Sequence, residues 1–342
     1  MFLMTLRDLQ YRSRRVALVT VLVALVLTLL YLMTGLVNQL QNEPGDAVDG
    51  IGAAQWIVAD GVSGPFTSVS VLPLDSEFAL ADVRPIVVSR GSLGTDGAES
   101  TEIVLIGHRP GELGQPTVVE GAAIAGAGEA VVDRSLELGV GDEITIGPAT
   151  FEVVGKTSSS TVLAGQALVF VDLESAQQLA FQSTDVVTGF VAASDEVPPT
   201  AGVAVLSADD VAADALGPIE SAVSSIDLIR VLLWFVAAIV MGAVIYLTAL
   251  ERERDFAVLK AVGASGASLG VGLALQAVIV ALIAAAVGAV AAKLIEPVFP
   301  LPVSIPGSAL ITVPTVAVLV GLGSAVLGVR RVNRTDPAEA FG

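Results

Sequence analysis

The 342 residues include no cysteine and a single histidine, His108. The first absence removes disulfides, zinc–thiolate centres and thiol nucleophiles, and leaves the redox compartment open. The second removes any catalytic or metal site built on two imidazoles. Charge is also scarce: 15% of residues are Asp, Glu, Lys or Arg, against about 25% in a soluble domain. Basic residues are the rarer kind, 17 against 35 acidic. Between Gln39 and Ser225 there are 27 acidic and 5 basic residues, which leaves 8 and 12 elsewhere. So acidic a segment excludes a nucleic-acid surface. It reads as the solvated exterior of an exposed domain rather than a cation site.

The chain has instead long uncharged runs, and 54% of its residues are hydrophobic. Val16 to Val37 would be about 33 Å long as a helix, enough for a ~30 Å hydrocarbon layer. Arg12, Arg14 and Arg15 precede it. Asn38-Gln39-Leu40-Gln41 follows, with no small-x-small cleavage site, so the run reads as an uncleaved signal anchor. Val231 to Leu250 is a second span. Ala261 to Ala292 would be about 48 Å as a helix, too long for one crossing. Its start, Gly263-Ala264-Ser265-Gly266, is better read as a turn, with the third span at 268–292. Pro297, Pro300, Pro302 and Pro306 mark an irregular link, and a fourth span covers 310–329. Within the span cores there is no charge, which argues against a proton- or ion-coupled carrier. Asp227, Arg230, Lys293 and Glu296 sit where span ends meet water, and pairing or snorkelling there is expected.

Arg7, Arg12, Arg14 and Arg15, then Arg252, Arg254 and Lys260, then Arg330, Arg331 and Arg334 all fall on one side of this arrangement. The positive-inside rule makes that side the cytoplasm. The expected order is a cytoplasmic segment 1–15, span one at 16–37, an extracytoplasmic domain 38–226 and span two at 231–250. A cytoplasmic segment 251–267, span three at 268–292, an outer loop 293–309, span four at 310–329 and a cytoplasmic tail 330–342 complete it. The fold class is therefore a cell-membrane protein of four transmembrane α-helices with an α+β domain between spans one and two. Residues 1–15 read equally well as an amphipathic surface helix, with Phe2, Leu3, Leu6 and Leu9 opposite Arg7 and Arg14, or as a plain tail.

Within the outer segment, Glu129–Asp133 and Leu168–Val171 read as strands and Leu173–Phe181 as a short helix. Ile144–Ile146 and Phe151–Val154 read as a hairpin joined by Gly147-Pro148-Ala149-Thr150. Gly91 to Ser100 reads as a mobile loop and His108 as a surface loop histidine. No catalytic constellation appears. Gly155-Lys156-Thr157 imitates the end of a phosphate loop, but Thr150 stands where its first glycine is required. The chain is therefore expected not to be an enzyme, and to hold no cofactor or metal.

The remaining feature is the charged island Glu251-Arg252-Glu253-Arg254-Asp255-Phe256-Ala257-Val258-Leu259-Lys260-Ala261-Val262-Gly263 between spans two and three. Phe256, Leu259 and Gly263 recur at helical spacing. A short amphipathic helix at the cytoplasmic face can dock in a groove of a soluble partner; the plainer reading is a solvated loop.

This island, continued by Ala264-Ser265, resembles the coupling segment of FtsX/MacB-type permease subunits of ABC transporters, an Arg-Glu-Ile-Gly-x-x-Arg/Lys-Ala-x-Gly-Ala-Ser pattern. Arg254-Asp255 stands for its Arg-Glu pair, and Ala257 replaces a glycine. The end of the chain, Arg330-Arg331 and then Asp336-Pro337-Ala338-Glu339-Ala340, is similar to the family's tail. Glu129 to Phe181 resembles the MacB-like extracytoplasmic core. The resemblance implies a permease subunit driven by a separate ABC ATPase that carries the ATP and magnesium. It also implies a second copy or paralogue of the permease, contact with membrane lipid, possibly an extracytoplasmic protein, and no nucleic acid. Arg254, Asp255, Phe256, Leu259, Lys260 and Gly263 become the expected ATPase-coupling residues. The implied activity is mechanotransmission for export or extraction of a hydrophobic or amphiphilic substrate. The alternatives are an FtsX-like regulator of a cell-wall hydrolase and a membrane-anchored module with no motor.

Overall fold

The computed structural model describes residues 13–76, 82–94, 100–158, 160–194, 197–198, 201–251, 258, 262, 265–299 and 301–334. The chain divides into two compact units, Met1–Gln39 with Ser224–Gly342, and Leu40–Val223.

Among the described residues, four helices are long and apolar enough to cross a membrane. The first, α1, runs Ser13–Ile51 and contains Pro44. At about 58 Å it is nearly twice a bilayer core. Its apolar run ends at Val37, and the residues from Leu40 onward belong to the other unit. The first membrane unit is packed through small residues, as helices in lipid require. A Cβ on Gly288 would lie 3.1 Å from the Ala24 carbonyl oxygen, and one on Gly321 would lie 3.0 Å from Met241 Sδ. Gly35 packs under Val303 and Ile305, while Asn38 Nδ2 donates to the Ser304 carbonyl at 3.2 Å. Hydroxyls along the spans bond within their own helix, Thr28 to the Ala24 carbonyl at 2.8 Å and Ser324 to that of Val320 at 2.9 Å. These bonds satisfy the two hydroxyls without water, as hydrocarbon requires. Lys293 and Glu296 pair at 2.9 Å, and Asp227 and Arg230 at 2.8 Å.

The second unit is built on an eleven-stranded sheet. Its strands are β1 (Gln55–Ala59), β3 (Val83–Gly94), β4 (Thr101–His108), β5 (Glu120–Gly121), β6 (Glu129–Asp133) and β7 (Glu143–Ile146). They continue as β8 (Ala149–Thr157), β9 (Thr161–Val162), β10 (Gln166–Asp172), β12 (Gly189–Ala192) and β13 (Val203–Ser207). The short strands β2 (Leu72–Pro73) and β11 (Val186–Val187) pair separately. Most neighbours are antiparallel, but β10 runs parallel to β4 and β6 parallel to β8.

Both faces of the sheet's centre are covered, so β4, β6 and β10 are buried almost without a break, whereas β7 and β8 nearer the edge alternate buried and more exposed residues. Val87, Leu105, Val169 and Val171 point to a core shared with α2 (Leu173–Phe181). Ile86, Val88, Val104, Ile106, Leu168 and Phe170 point to the opposite core. That core also contains Ala47, Val48 and Ile51 from α1 and Val211 and Ala215 from α3 (Ala208–Leu216). The Asp172 carboxylate caps α2 through Ser175 N, and Ser207 with Asp210 forms a capping box on α3. Two further long helices, α5 (Gly266–Ile295) and α6 (Ala309–Arg334), follow α4 (Glu220–Glu251) in the membrane unit.

Two expectations fail here. Gly91–Gly94 is no loop but the end of β3: Gly91 pairs with Ile103 of β4, and Leu93 with Ile146 of β7. Leu93 is buried at 4% exposure, and two neighbours supply the ladder that glycine-rich sequence hides. His108 is no surface residue either; it ends β4 at 0% exposure. The hairpin between β7 and β8 is tighter than read, since Ile146 pairs with Ala149 and leaves only Gly147-Pro148 in the turn. Gly147 takes φ 58°, the positive φ that two-residue hairpin loops demand.

Candidate functional site

The six residues expected to grip a partner, Arg254, Asp255, Phe256, Leu259, Lys260 and Gly263, lie outside the described residues. Their neighbours are described. Helix α4 ends at Glu251, and Val262 N donates to the Val258 carbonyl at 3.1 Å, one turn of helix. Val258 is 51% and Val262 84% exposed. Sequence reading passed over these two; their i, i+4 spacing was the available signal. Ser265 then caps α5, its hydroxyl accepting from Ser268 N at 3.2 Å.

The outer unit contains a half-open cleft of about 310 Å³, at the small end of ligand pockets. Phe66, Val69, Val104 and Phe181 supply its apolar wall, and Arg90 stands beside them. The polar floor is already committed. Ser70 Oγ donates to the Thr188 carbonyl at 2.5 Å and accepts from Ala59 N at 2.9 Å. Thr188 Oγ1 accepts from Val88 N at 2.9 Å and donates to the Val88 carbonyl at 3.0 Å. Arg90 Nη2 donates to the Phe66 carbonyl at 3.4 Å, and among the described residues no carboxylate pairs with it. The result is a cation at the rim of a hollow of mixed polarity, an arrangement suited to an anionic head with a short apolar body. A second hollow of about 610 Å³ lies between α4 and α6 and is almost wholly apolar, with Phe235, Ile239 and Tyr246 on one side and Gly323 on the other.

His108 does not join any of these. Its Nδ1 lies 3.1 Å from the Arg109 carbonyl, so Nδ1 carries the proton and Nε2 keeps a lone pair, buried without a partner. The ring meets Phe170 edge-on at 6.3 Å. Burial lowers its pKa, while its bond to Arg109 and the charge of Asp172 pull the other way. Among the described residues no cluster of His, Asp and Glu could hold a metal. Gly155-Lys156-Thr157 lies within β8, with no loop for a phosphate.

Comparison with known proteins settles what kind of chain carries these features. The FtsX-like permease C-terminal family matches residues 228–337. The uncharacterized ABC transporter permease Rv2563 of Mycobacterium tuberculosis is 36% identical over 355 residues, spanning 100% of this chain and 99% of that protein. The chain is an FtsX-like ABC transporter permease. A second uncharacterized permease from Mycobacterium tuberculosis, Rv0072, is 35% identical over 100% of this chain and 99% of its own length. The putative hemin transport system permease protein HrtB of Staphylococcus epidermidis is 23% identical over 98% of both chains. The crystal structure of the periplasmic region of MacB from Actinobacillus actinomycetemcomitans is similar to 49% of the chain and covers 94% of that structure, at 15% identity and TM-score 0.35. The permease family accounts for a chain of four membrane helices with a large folded domain between the first two and no catalytic cluster among the described residues.

Proposed function

We propose that this permease is the moving half of a pump that extracts an anionic amphiphile from the outer leaflet or the space beyond. Two copies, or one copy and a paralogue, pair with two ABC ATPase subunits that hold the ATP and magnesium. Both chain ends lie in the cytoplasm, as the Arg and Lys placement favours. Segment 251–263 is the coupling helix. Phe256 and Leu259 fill a groove on the ATPase, Gly263 lets the backbone approach, and Arg254, Asp255 and Lys260 fix orientation through charge pairs. Val258 and Val262, apolar and exposed at 51% and 84%, extend that contact. When ATP draws the ATPases together, the coupling helices move with them. The stiff spans pass the displacement to the outer domain as a rigid-body change.

The observation that carries this reading is the full-length match to ABC permeases in a chain whose sequence has no complete phosphate-loop motif. The substrate class rests on the outer cleft, where Arg90 has no acidic partner among the described residues and Phe66, Val69, Val104 and Phe181 give part of the wall an apolar surface. Hemin, in the printed name of the staphylococcal relative, has two carboxylates on a flat apolar body and belongs to that class. Iron ligation by imidazole or thiolate is not on offer, because the only histidine is fully buried and cysteine is absent.

The test is ATP hydrolysis by the reconstituted permease–ATPase complex with oleate or hemin as the probe. Stimulation in the wild type that drops at least fivefold in Arg90→Glu supports the reading. ATP hydrolysis indifferent to both probes, together with capture of a cell-wall hydrolase by the same complex, would replace transport by the regulator reading.

A further inference from the structure

The far end of α1 carries a buried acid that pumping, as described, does not use. Glu43 is 2% exposed. Its Oε1 accepts from Gly165 N at 2.7 Å, and its Oε2 is buried with no partner. The Thr161 hydroxyl favours the ionised form, while burial and the nearby Asp133 charge oppose it. Asp133 cannot turn to help. Its oxygens already accept from Ser135 N and Ser160 N, each at 2.9 Å, and from Thr157 Oγ1 at 3.3 Å.

Gly165 closes the turn between β9 and β10, and the turn is strained. Leu163, Ala164 and Gly165 have φ of 52°, 68° and 100°. The left-handed region suits glycine; two successive residues with a Cβ there persist only when something outside the turn holds them. Glu43 is the side chain that reaches the turn from outside it. A site selected for stability alone would offer Asn-Gly in the turn and a partner for both carboxylate oxygens. Immediately beyond Glu43 stands Pro44, inside the helix. Proline has no N–H for the carbonyl of Leu40, so the helix is weakened over its turn 40–44. The boundary between the compact units falls at Gln39/Leu40.

We propose that Glu43 and the turn Leu163–Gly165 form a latch that fastens the end of the first membrane helix to the outer domain, and that the latch opens when the helix is displaced, with Pro44 as the yielding point. Glu43 is a positioning residue: it holds the strained turn in the resting state, and the turn relaxes once the carboxylate withdraws. The latch rests on the reading that ATP-driven motion reaches the outer domain through the spans.

Hydrogen–deuterium exchange of the full chain in nanodiscs tests it. Without ATPase, peptide 161–167 should exchange at least tenfold faster in Glu43→Ala than in the wild type. Glu43→Gln, whose amide oxygen still accepts from Gly165 N, should stay within threefold and also shows that the fold survives. Equal exchange in all three overturns the latch. In the complex with its ATPase, trapping with ATP and vanadate should deprotect 161–167 in the wild type and change nothing further in Glu43→Ala. Protection that persists through trapping makes Glu43 a static anchor and overturns the opening step. An absent ATPase overturns the pump reading, while the nucleotide-free comparison still decides whether Glu43 holds the turn.

Discussion

The two units solve burial in opposite ways. In the membrane unit the contacts are Gly and Ala against backbone, hydroxyls bond within their own helix, and charges pair at the span ends. In the outer unit a sheet lies between two cores, and buried polar groups reach across the fold, Glu43 to Gly165 and Ser70 to Thr188. Lipid penalises unsatisfied polar groups heavily, and the span hydroxyls Thr28, Thr34, Thr315 and Ser324 each bond within their own helix. The outer unit tolerates left-handed residues and buried carboxylate and imidazole atoms without a partner among the described residues. In the proposed pump the membrane unit would carry the displacement, and the outer unit would be where it is converted.

The sharpest way to break this contrast is steric. A Cβ on Gly107 would sit 2.2 Å from Ala176 Cβ, so Gly107→Val should cost the outer unit about 3 kcal/mol. Trp56 is the only tryptophan outside the membrane unit, and its emission in a Trp234→Phe background reads that loss in a urea melt. Gly288→Leu intrudes on Ala24 and Thr28 instead. It should abolish the monodisperse detergent peak while Trp56 emission is unchanged. Gly272, with nothing within 4 Å of its Cβ position, should accept alanine silently in both measurements.

Smaller effects come from titration and have opposite signs for two buried groups. His108 has a lowered pKa, so its contribution to stability is complete above 6.5, its ordinary value. That contribution is lost as pH falls below 6.5 toward the folded value, with a slope of at most ~1.4 kcal/mol per pH unit. A urea-melt series from pH 7.5 to 5 should show this decline, and His108→Gln should flatten it. Glu43 has a raised pKa, so its contribution is complete below 4.5, its ordinary value, and is lost as pH rises through the folded value. Glu43→Gln should therefore gain stability over the wild type at pH 7, and the gain should shrink as pH falls toward 4.5. Smallest is Ala164→Gly, which relieves left-handed strain at φ 68° and should stabilise the outer unit by about 1 kcal/mol.

How much of this could be read beforehand depended on how local the cause was. Spans announce themselves by uncharged length. Leu173–Phe181 was legible because Asp172 supplies its cap in sequence. Gly91–Gly94 was misread because its strand character comes from partners at Ile103 and Ile146, which no local pattern reveals. His108 is buried because the apolar run Ile103–Gly107 carries it to the end of a covered strand, while the turn-like Arg109-Pro110-Gly111 after it suggests a loop. Pro44 signals a helix stop in sequence, yet α1 passes through it because Ala47, Val48 and Ile51 bury against the sheet. Glu43 and Arg90 carry no signal at all: what distinguishes each is a neighbour far away in the chain, or the lack of one. The six expected coupling residues rest on helical spacing and the family motif, and they lie outside the described residues.

The central claim is that an external ATPase grips segment 251–263. The direct measurement is co-purification of the wild type and the double variant Phe256→Asp/Leu259→Asp from membranes, with Trp56 emission as the check on folding. The wild type should carry an ABC ATPase, and the variant should lose at least nine-tenths of it with Trp56 emission unchanged. An ATPase retained at wild-type level by the variant would contradict the claim.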